Sequence, residues 1–250
     1  MSRTLLERLV ALADPTWILS QAPPPSEIAP GLWSVDRLLG IPGGPRLPGR
    51  ALLVDLPAGG VLAWSPVPLS DALCEFVAAR GGARFLVAPN SFHYLGLAEW
   101  KRAFPEAEIW LAPGLPARVS TVPAGRELLD GAATPFAETL AHHVLDCGRG
   151  VTEVAFLHAP SRTLLLCDSA FNLSPQPRFV DRVGTRLMGI RYAFGPSRTA
   201  RQMLLTNRAA VAFWVEQLCA WDFVRIVMGH GDPLDAVPSA LRKAFAGWLG

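Results

Sequence analysis

The chain has 250 residues, half of them hydrophobic and 18% charged, with 23 basic and 21 acidic side chains for a formal net charge of +2. This composition excludes a disordered chain and is enough for one sizeable core. The basic residues read as scattered, with no Lys/Arg stripe, which argues against nucleic acid as a partner.

Within "MSRTLLERLVALADPTW" the apolar positions recur at helical spacing, predicting a helix from about Arg3 to Leu12. Glu7, Arg8 and Asp14 interrupt the apolar run, so it is neither a secretion signal nor a membrane span. The proline-rich "QAPPPSEIAPG" that follows can be neither helix nor central strand. Residues 1–31 are therefore expected to form an N-terminal helix and arm, compatible with packing on the domain or with a homodimer, and residues 32–250 the main domain.

"LWSVDRLL" reads as a strand, and "ALLVDLPAGGVLAWSPVPL" as two strands around a Pro57-Ala58-Gly59-Gly60 turn. Ser70 or Asp71 can cap the next helix, which Gly81-Gly82 ends. "RFLVAPNSFHYLGLAEW" predicts a strand, a loop holding His93 and a helix through about Phe104. "EAEIWLAPGL" is a short strand, and "ETLAHHVLDC", "VTEVAFLHAP" and "RTLLLCDSAF" read as three consecutive strands. "PQPRFVDRVGTRLMGIRYAFGPS", punctuated by Gly and Pro, is expected to be irregular. A long helix from about Arg198 to Trp221 then leads into the strand "FVRIVM", the loop "GHGDP" and a last helix from about Pro238 to Leu249. This order fits two packed sheets with helices outside, an α/β/β/α sandwich, better than a doubly wound parallel sheet.

Three apolar strands share an ending. "FLVAPNSFH" delivers His93, "TLLLCD" delivers Asp168 and "RIVMGHGDP" delivers His230, each just past a buried strand at the edge where such architectures build their sites. Gly229 and Gly231 around His230 predict special backbone angles or a close approach. Singly, each has a plainer reading as a hydrogen-bonded structural histidine or a turn cap. The remaining candidates read as structural. His142 and His143 point to opposite faces of a strand, and His158 ends another. Cys167 faces away from Asp168, Cys147 sits in a loop, and Asp232 shapes a turn. The four cysteines form no CxxC pair, which suits a reducing, cytoplasmic setting.

These landmarks, with "SPVPL", "VAPNSFHYLGLAEWKRAFPEAEIWLAPGL", "EVAFLHAPSRTLLLCDSAFN" and "MGHGDP", resemble the metallo-β-lactamase fold superfamily from about Leu32 to Leu249, in a branch known chiefly as a domain of unknown function. The resemblance implies a metallo-β-lactamase-like α/β/β/α sandwich and a metal site whose first loop is HxHxDH. Here His93 stands at that motif's final histidine, Phe92 at its aspartate, Asn90 at its middle histidine and Ala88 at its first. Arg149, in "DCGRG", stands near the histidine of the third loop, while Asp168 and His230 match the two later ligands.

On that resemblance His93, Asp168 and His230 are the expected metal ligands and catalytic residues, holding one zinc or iron ion and not two. Asn90 and Arg149 are expected to contact a small-molecule substrate, Arg149 through a carboxylate or phosphate. Two functional readings follow. One is a hydrolase-like protein in which a single ion activates water; the other is a metal-free, non-catalytic member of the fold that binds a ligand or a protein. Neither needs a nucleic acid or a membrane.

Overall fold

The computed structural model describes residues 23–40, 44–148 and 151–249. The predicted N-terminal helix and Arg149 lie outside these residues. The first sheet has seven strands in sequence order: β1 (Ser26–Ala29), β2 (Leu32–Gly40), β3 (Arg46–Asp55), β4 (Val61–Trp64), β5 (Ala83–Ala88), β6 (Glu108–Leu111) and β7 (Arg126–Glu127). β1 to β4 pair antiparallel, and β4 to β7 pair parallel. Helices α1 (Asp71–Ala78), α2 (Leu97–Ala103) and α3 (Leu115–Arg118) make the crossovers that parallel neighbours require.

The second sheet has five strands in the order β12-β11-β10-β9-β8. β8 (Leu140–Asp146), β9 (Thr152–His158) and β10 (Thr163–Leu166) form an antiparallel meander. Helices α4 (Phe179–Leu187), α5 (Arg198–Met203) and α6 (Arg208–Cys219) then cross over to β11 (Arg225–Met228), which is parallel to β10. β12 (Leu234–Asp235), α7 (Pro238–Ala244) and α8 (Ala246–Leu249) close the chain.

The inner strands are apolar on both faces because both faces are covered. Leu52, Leu62, Trp64 and Val87 of the first sheet meet Val154, Phe156, Leu165 and Val227 of the second between the sheets. Their neighbours Leu53, Ala63 and Leu86 face outward onto Leu73, Val77, Leu97 and Trp100 of α1 and α2. On the far side Ala155, Leu164 and Ile226 pack under Val211, Trp214 and Leu218 of α6. The result is the α/β/β/α sandwich expected from the element order.

Local signals acted as predicted where their chemistry is short-range. The β3–β4 hairpin closes with Leu56 N–H donating to the Gly60 carbonyl. The Ser70 side chain accepts from Leu73 N–H, and Gly81 and Gly82 end α1 at φ +95° and +81°. Two expectations need correction. The "irregular" stretch contains α4, whose Gly184 sits against Pro45, where a Cβ would come within 2.7 Å of the ring. The predicted long helix is two, because the Asn207 side chain accepts from Ala210 N–H and starts α6 afresh. The proline-rich connector is neither helix nor central strand, as expected; it carries β1, an edge strand paired to β2 only.

Candidate metal centre

The site forms at one end of the sandwich, just past the ends of inner strands of both sheets. Pro89 and Asn90 follow β5, Asp168 follows β10 and His230 follows β11. Val154 N–H of β9 donates to the Pro89 carbonyl and Gly229 N–H to the Leu166 carbonyl, which ties the end of β5 to β9 and the end of β11 to β10. His93, Asp168 and His230 converge, their candidate ligand atoms all lying within 4.8 Å of one another. His230 Nε2 is 3.2 Å from Asp168 Oδ1, and His93 Nε2 is 3.5 Å from Oδ2.

The glycines beside His230 answer to space. A Cβ on Gly229 would lie 3.1 Å from His93 Cε1, and Gly231, at φ +107°, would drive one to 2.4 Å from the Asn172 carbonyl oxygen. Arg50 holds the loop from outside. Its Nη1 donates to the carbonyls of Met228 and Gly231, on either side of His230. Phe171 stacks on the His230 ring with 9° between planes.

Tautomers follow from the partners. His230 Nδ1 is 2.7 Å from the Pro48 carbonyl, an acceptor only, so Nδ1 carries the proton. Its Nε2 therefore meets the Asp168 carboxylate either as a lone pair needing a shared cation or as the second N–H of an imidazolium. Burial alone would push the His230 pKa down. The hydrogen bond to Asp168, that carboxylate's charge and the Pro48 carbonyl outweigh burial and Arg50, so the net shift is upward. For Asp168, too, burial would raise the pKa, but the charge of His93 and hydrogen bonds from both histidines hold it well below the carboxylate range. His93 Nδ1 is 2.7 Å from Ser65 Oγ, which leaves its Nε2 aimed at the centre.

Asn90 has one orientation. Its Oδ1 accepts from Phe92 N–H at 2.9 Å and His93 N–H at 3.0 Å, so its Nδ2 must be the atom donating to Asp168 Oδ2 at 2.6 Å. An amide donor thus covers one carboxylate oxygen from the position where the superfamily motif has its middle histidine. The two histidines and Asp168 could hold one ion, whereas Asn90 turns an amide N–H, which has no lone pair for a metal, toward the carboxylate. Two imidazole nitrogens and a carboxylate are a donor set that zinc and non-haem iron both accept.

Three contributors were not anticipated from the sequence. Ser65 follows β4 at φ +53°, a strained angle for a serine, and presents its hydroxyl to His93; its place in "SPVPL" was the available signal. Arg50 looked like one of many arginines. Glu153 is fully buried and accepts from the N–H groups of Cys167, Asp168 and Ser169 and from the Ser169 hydroxyl. Burial, then the charge of Asp168, push its pKa up to about 7 against those hydrogen bonds. An acid inside the apolar run "TEVAFLH" was the signal, since a buried carboxylate needs partners.

The other sequence candidates stand apart from the centre. His142 contacts the Leu129 carbonyl, and His143 contacts Asp130 and stacks on Trp221. His158 bonds Ser161, Cys167 is buried core, and Asp232 accepts from Ser174. Beside the centre lies a cavity of about 290 Å³. His93, Asp168, His230, Ser65 and Asn90 give it a polar patch, and Leu47, Phe92, Phe171, Met188 and Met203 make most of its wall apolar.

Known proteins resemble this chain as follows. The family model described as a domain of unknown function, DUF4336, matches residues 30–187. No curated protein sequence matches. Among solved structures, an NDM/FIM-1-like metallo-β-lactamase from Erythrobacter litoralis in its mono-zinc form is 16% identical, with a TM-score of 0.56 over 92% of this chain and 95% of that one. A metallo-β-lactamase from Pontibacter korlensis is 12% identical, with a TM-score of 0.59 over 91% and 99%. The DIM-1 metallo-β-lactamase is 12% identical, with a TM-score of 0.63 over 91% and 99%. At these identities what is shared is the fold.

Proposed function

We propose that this chain, which belongs to the DUF4336 family, is a hydrolase-like protein that holds one zinc or iron ion through His93, Asp168 and His230. The observation that carries the reading is the convergence of two Nε2 atoms, each with its Nδ1 already engaged, on one carboxylate. Outer partners of this kind fix ring orientation in metal-binding histidines. A bound ion would supply Lewis acidity, polarising a substrate carbonyl or phosphoryl group and acidifying water. The chain's own residues do the rest. Ser65 and the Pro48 carbonyl orient the histidines, Asn90 and Glu153 hold Asp168, and Arg50 holds the His230 loop. The apolar cavity wall excludes water and selects a small molecule with an alkyl or aryl part. Arg149 stands two residues before Val151 of that wall in sequence, which suits the part of an anion-binding contact. Cys74, Cys147, Cys167 and Cys219 are free thiols, which supports a reducing, cytoplasmic setting. Self-association through residues 1–31 belongs to the same proposal.

One observation favours a second reading. With His230 as an imidazolium, its pair with Asp168 is complete without an ion, and Asn90 satisfies the other oxygen. The chain would then be a metal-free ligand-binding member of the fold.

Elemental analysis of full-length protein purified without a metal-affinity tag separates the two. We expect about one zinc or iron per chain, lost in His230→Ala, since removing one of three ligands leaves too few to hold an ion. Protein that stays metal-free after incubation with zinc and with ferrous iron would sink the hydrolase reading in favour of the second.

A further inference from the structure

Residues 186–204 have two faces. On one, Met188, Ala200, Met203 and Leu204 wall the cavity beside the metal centre. On the other, Arg186, Arg191, Arg198 and Arg201 line a separate hollow with Tyr192. The basic residues are not scattered as the composition suggested. Residues 173–208 contain seven arginines and a single acid, Asp181, although the whole chain nets only +2, so the remainder is net acidic. Asp181 is no counterweight, being 4% exposed and engaged with Arg46 N–H and Arg178. Among the described residues none of the four hollow arginines makes an ion pair, and only Arg201 stacks, on Trp248.

The same segment opens with α4, whose outer face is apolar. Phe179 is 70% exposed, Val180 60%, Val183 38% and Leu187 71%. These positions, i, i+1, i+4 and i+8, share one side of the helix, opposite the buried Asp181 and Thr185. Arg182 and Arg186 border the stripe, Arg182 lying over the Phe179 ring. Large apolar side chains exposed in a row mark a contact surface. A basic rim around them matches the chemistry of helices that lie in the interface of anionic bilayers.

We propose that α4 and the arginine hollow form a peripheral docking surface for a membrane of anionic phospholipids. The apolar stripe enters the headgroup–acyl boundary, and Arg186, Arg191, Arg198 and Arg201 take lipid phosphates. The metal-centre cavity lies directly behind, on the other side of residues 186–204. Charge separates this occupant from two others. The undescribed N-terminal segment balances Arg3 and Arg8 with Glu7 and Asp14, so it offers no complement to a basic rim. A second copy docked face to face would set arginines against arginines. None of the helices among the described residues is long and apolar enough to cross a membrane, and peripheral docking needs none.

The test is sedimentation of the full chain with phosphatidylcholine vesicles, with and without about 30% phosphatidylglycerol. Wild type is expected to partition at least about tenfold more strongly onto the anionic vesicles, and less so at high salt. Phe179→Ser/Leu187→Ser, at exposed positions that spare the core, is expected to lose at least about tenfold. Arg191→Gln and Arg198→Gln are expected to lose about fivefold each. No binding, equal binding to both vesicle types, or full binding by Phe179→Ser/Leu187→Ser would overturn the proposal. So would a concentration-dependent dimer that dissolves in that variant, which assigns the stripe to a second copy. Tighter retention on duplex DNA than on the anionic vesicles would assign the arginines to nucleic acid instead.

Discussion

Strand β9 buries an ionisable side chain at each end, and the two ends are built differently. Glu153, at the metal-centre end, receives three backbone N–H groups and a hydroxyl from the turn that carries Asp168. His158, at the far end, is 1% exposed and has the Ser161 hydroxyl as its ring partner. Burial lowers its pKa to about 4, against the pull of Asp55. A group with four donors organises a neighbouring turn, whereas a group with one partner simply stays neutral. The fold concentrates its buried hydrogen bonds where a side chain must be aimed, and the opposite end of the same strand gets by on one.

The largest expected effect breaks the first end. Glu153→Ala orphans three N–H groups and a hydroxyl, so urea unfolding should show a loss on the order of 3–5 kcal/mol, together with loss of bound metal. A cost below about 1 kcal/mol would mean that the turn holds itself. The second end is read by pH. His158 stays neutral when folded but takes a proton when unfolded, so its contribution is fully present above its unfolded pKa of 6.5 and is lost as pH falls toward about 4. That window spans about 3 kcal/mol. Urea midpoints measured across it should fall steeply for wild type and less for His158→Gln; parallel curves would place the acid sensitivity elsewhere. The smallest effects compare the two serine partners. Ser169→Ala should cost about 2 kcal/mol and weaken zinc affinity about tenfold, as loss of an outer-sphere partner does. Ser161→Ala should cost about 1 kcal/mol and leave zinc affinity unchanged. Equal zinc affinities in the two variants would erase the distinction between the ends.

Much of the architecture was legible because its signals are local. Gly59-Gly60, Ser70 and Gly81-Gly82 act within a few residues of themselves, and the apolar runs had to be strands covered on both faces. Helix α4 was not legible, because Gly184 reads as a breaker until Pro45, far away in sequence, explains why nothing larger fits. The convergence of His93, Asp168 and His230 was suggested by three like strand endings, and a sheet edge brings them together. What positions them was hidden. Ser65, Arg50 and Glu153 act across 28, 178 or more and 14–16 residues of chain, and single-residue chemistry does not announce partners at that range. The arginine concentration in residues 173–208 is present in the sequence, but a near-zero whole-chain charge averages it away.

Gly231 has a bearing on how this fold drifts over generations. Its positive φ and the Asn172 carbonyl at its back admit no other residue, and the Asn172–Gly231 bridge it makes joins two loops. That demand is steric and holds whether or not an ion is ever bound. A lineage that lost the site would still keep Gly231, whereas Gly229, crowded chiefly by the His93 ring, would be released along with the histidines. Persistence of Gly231 in a related chain therefore reports the fold, and the state of positions 229 and 230 reports the site beside it.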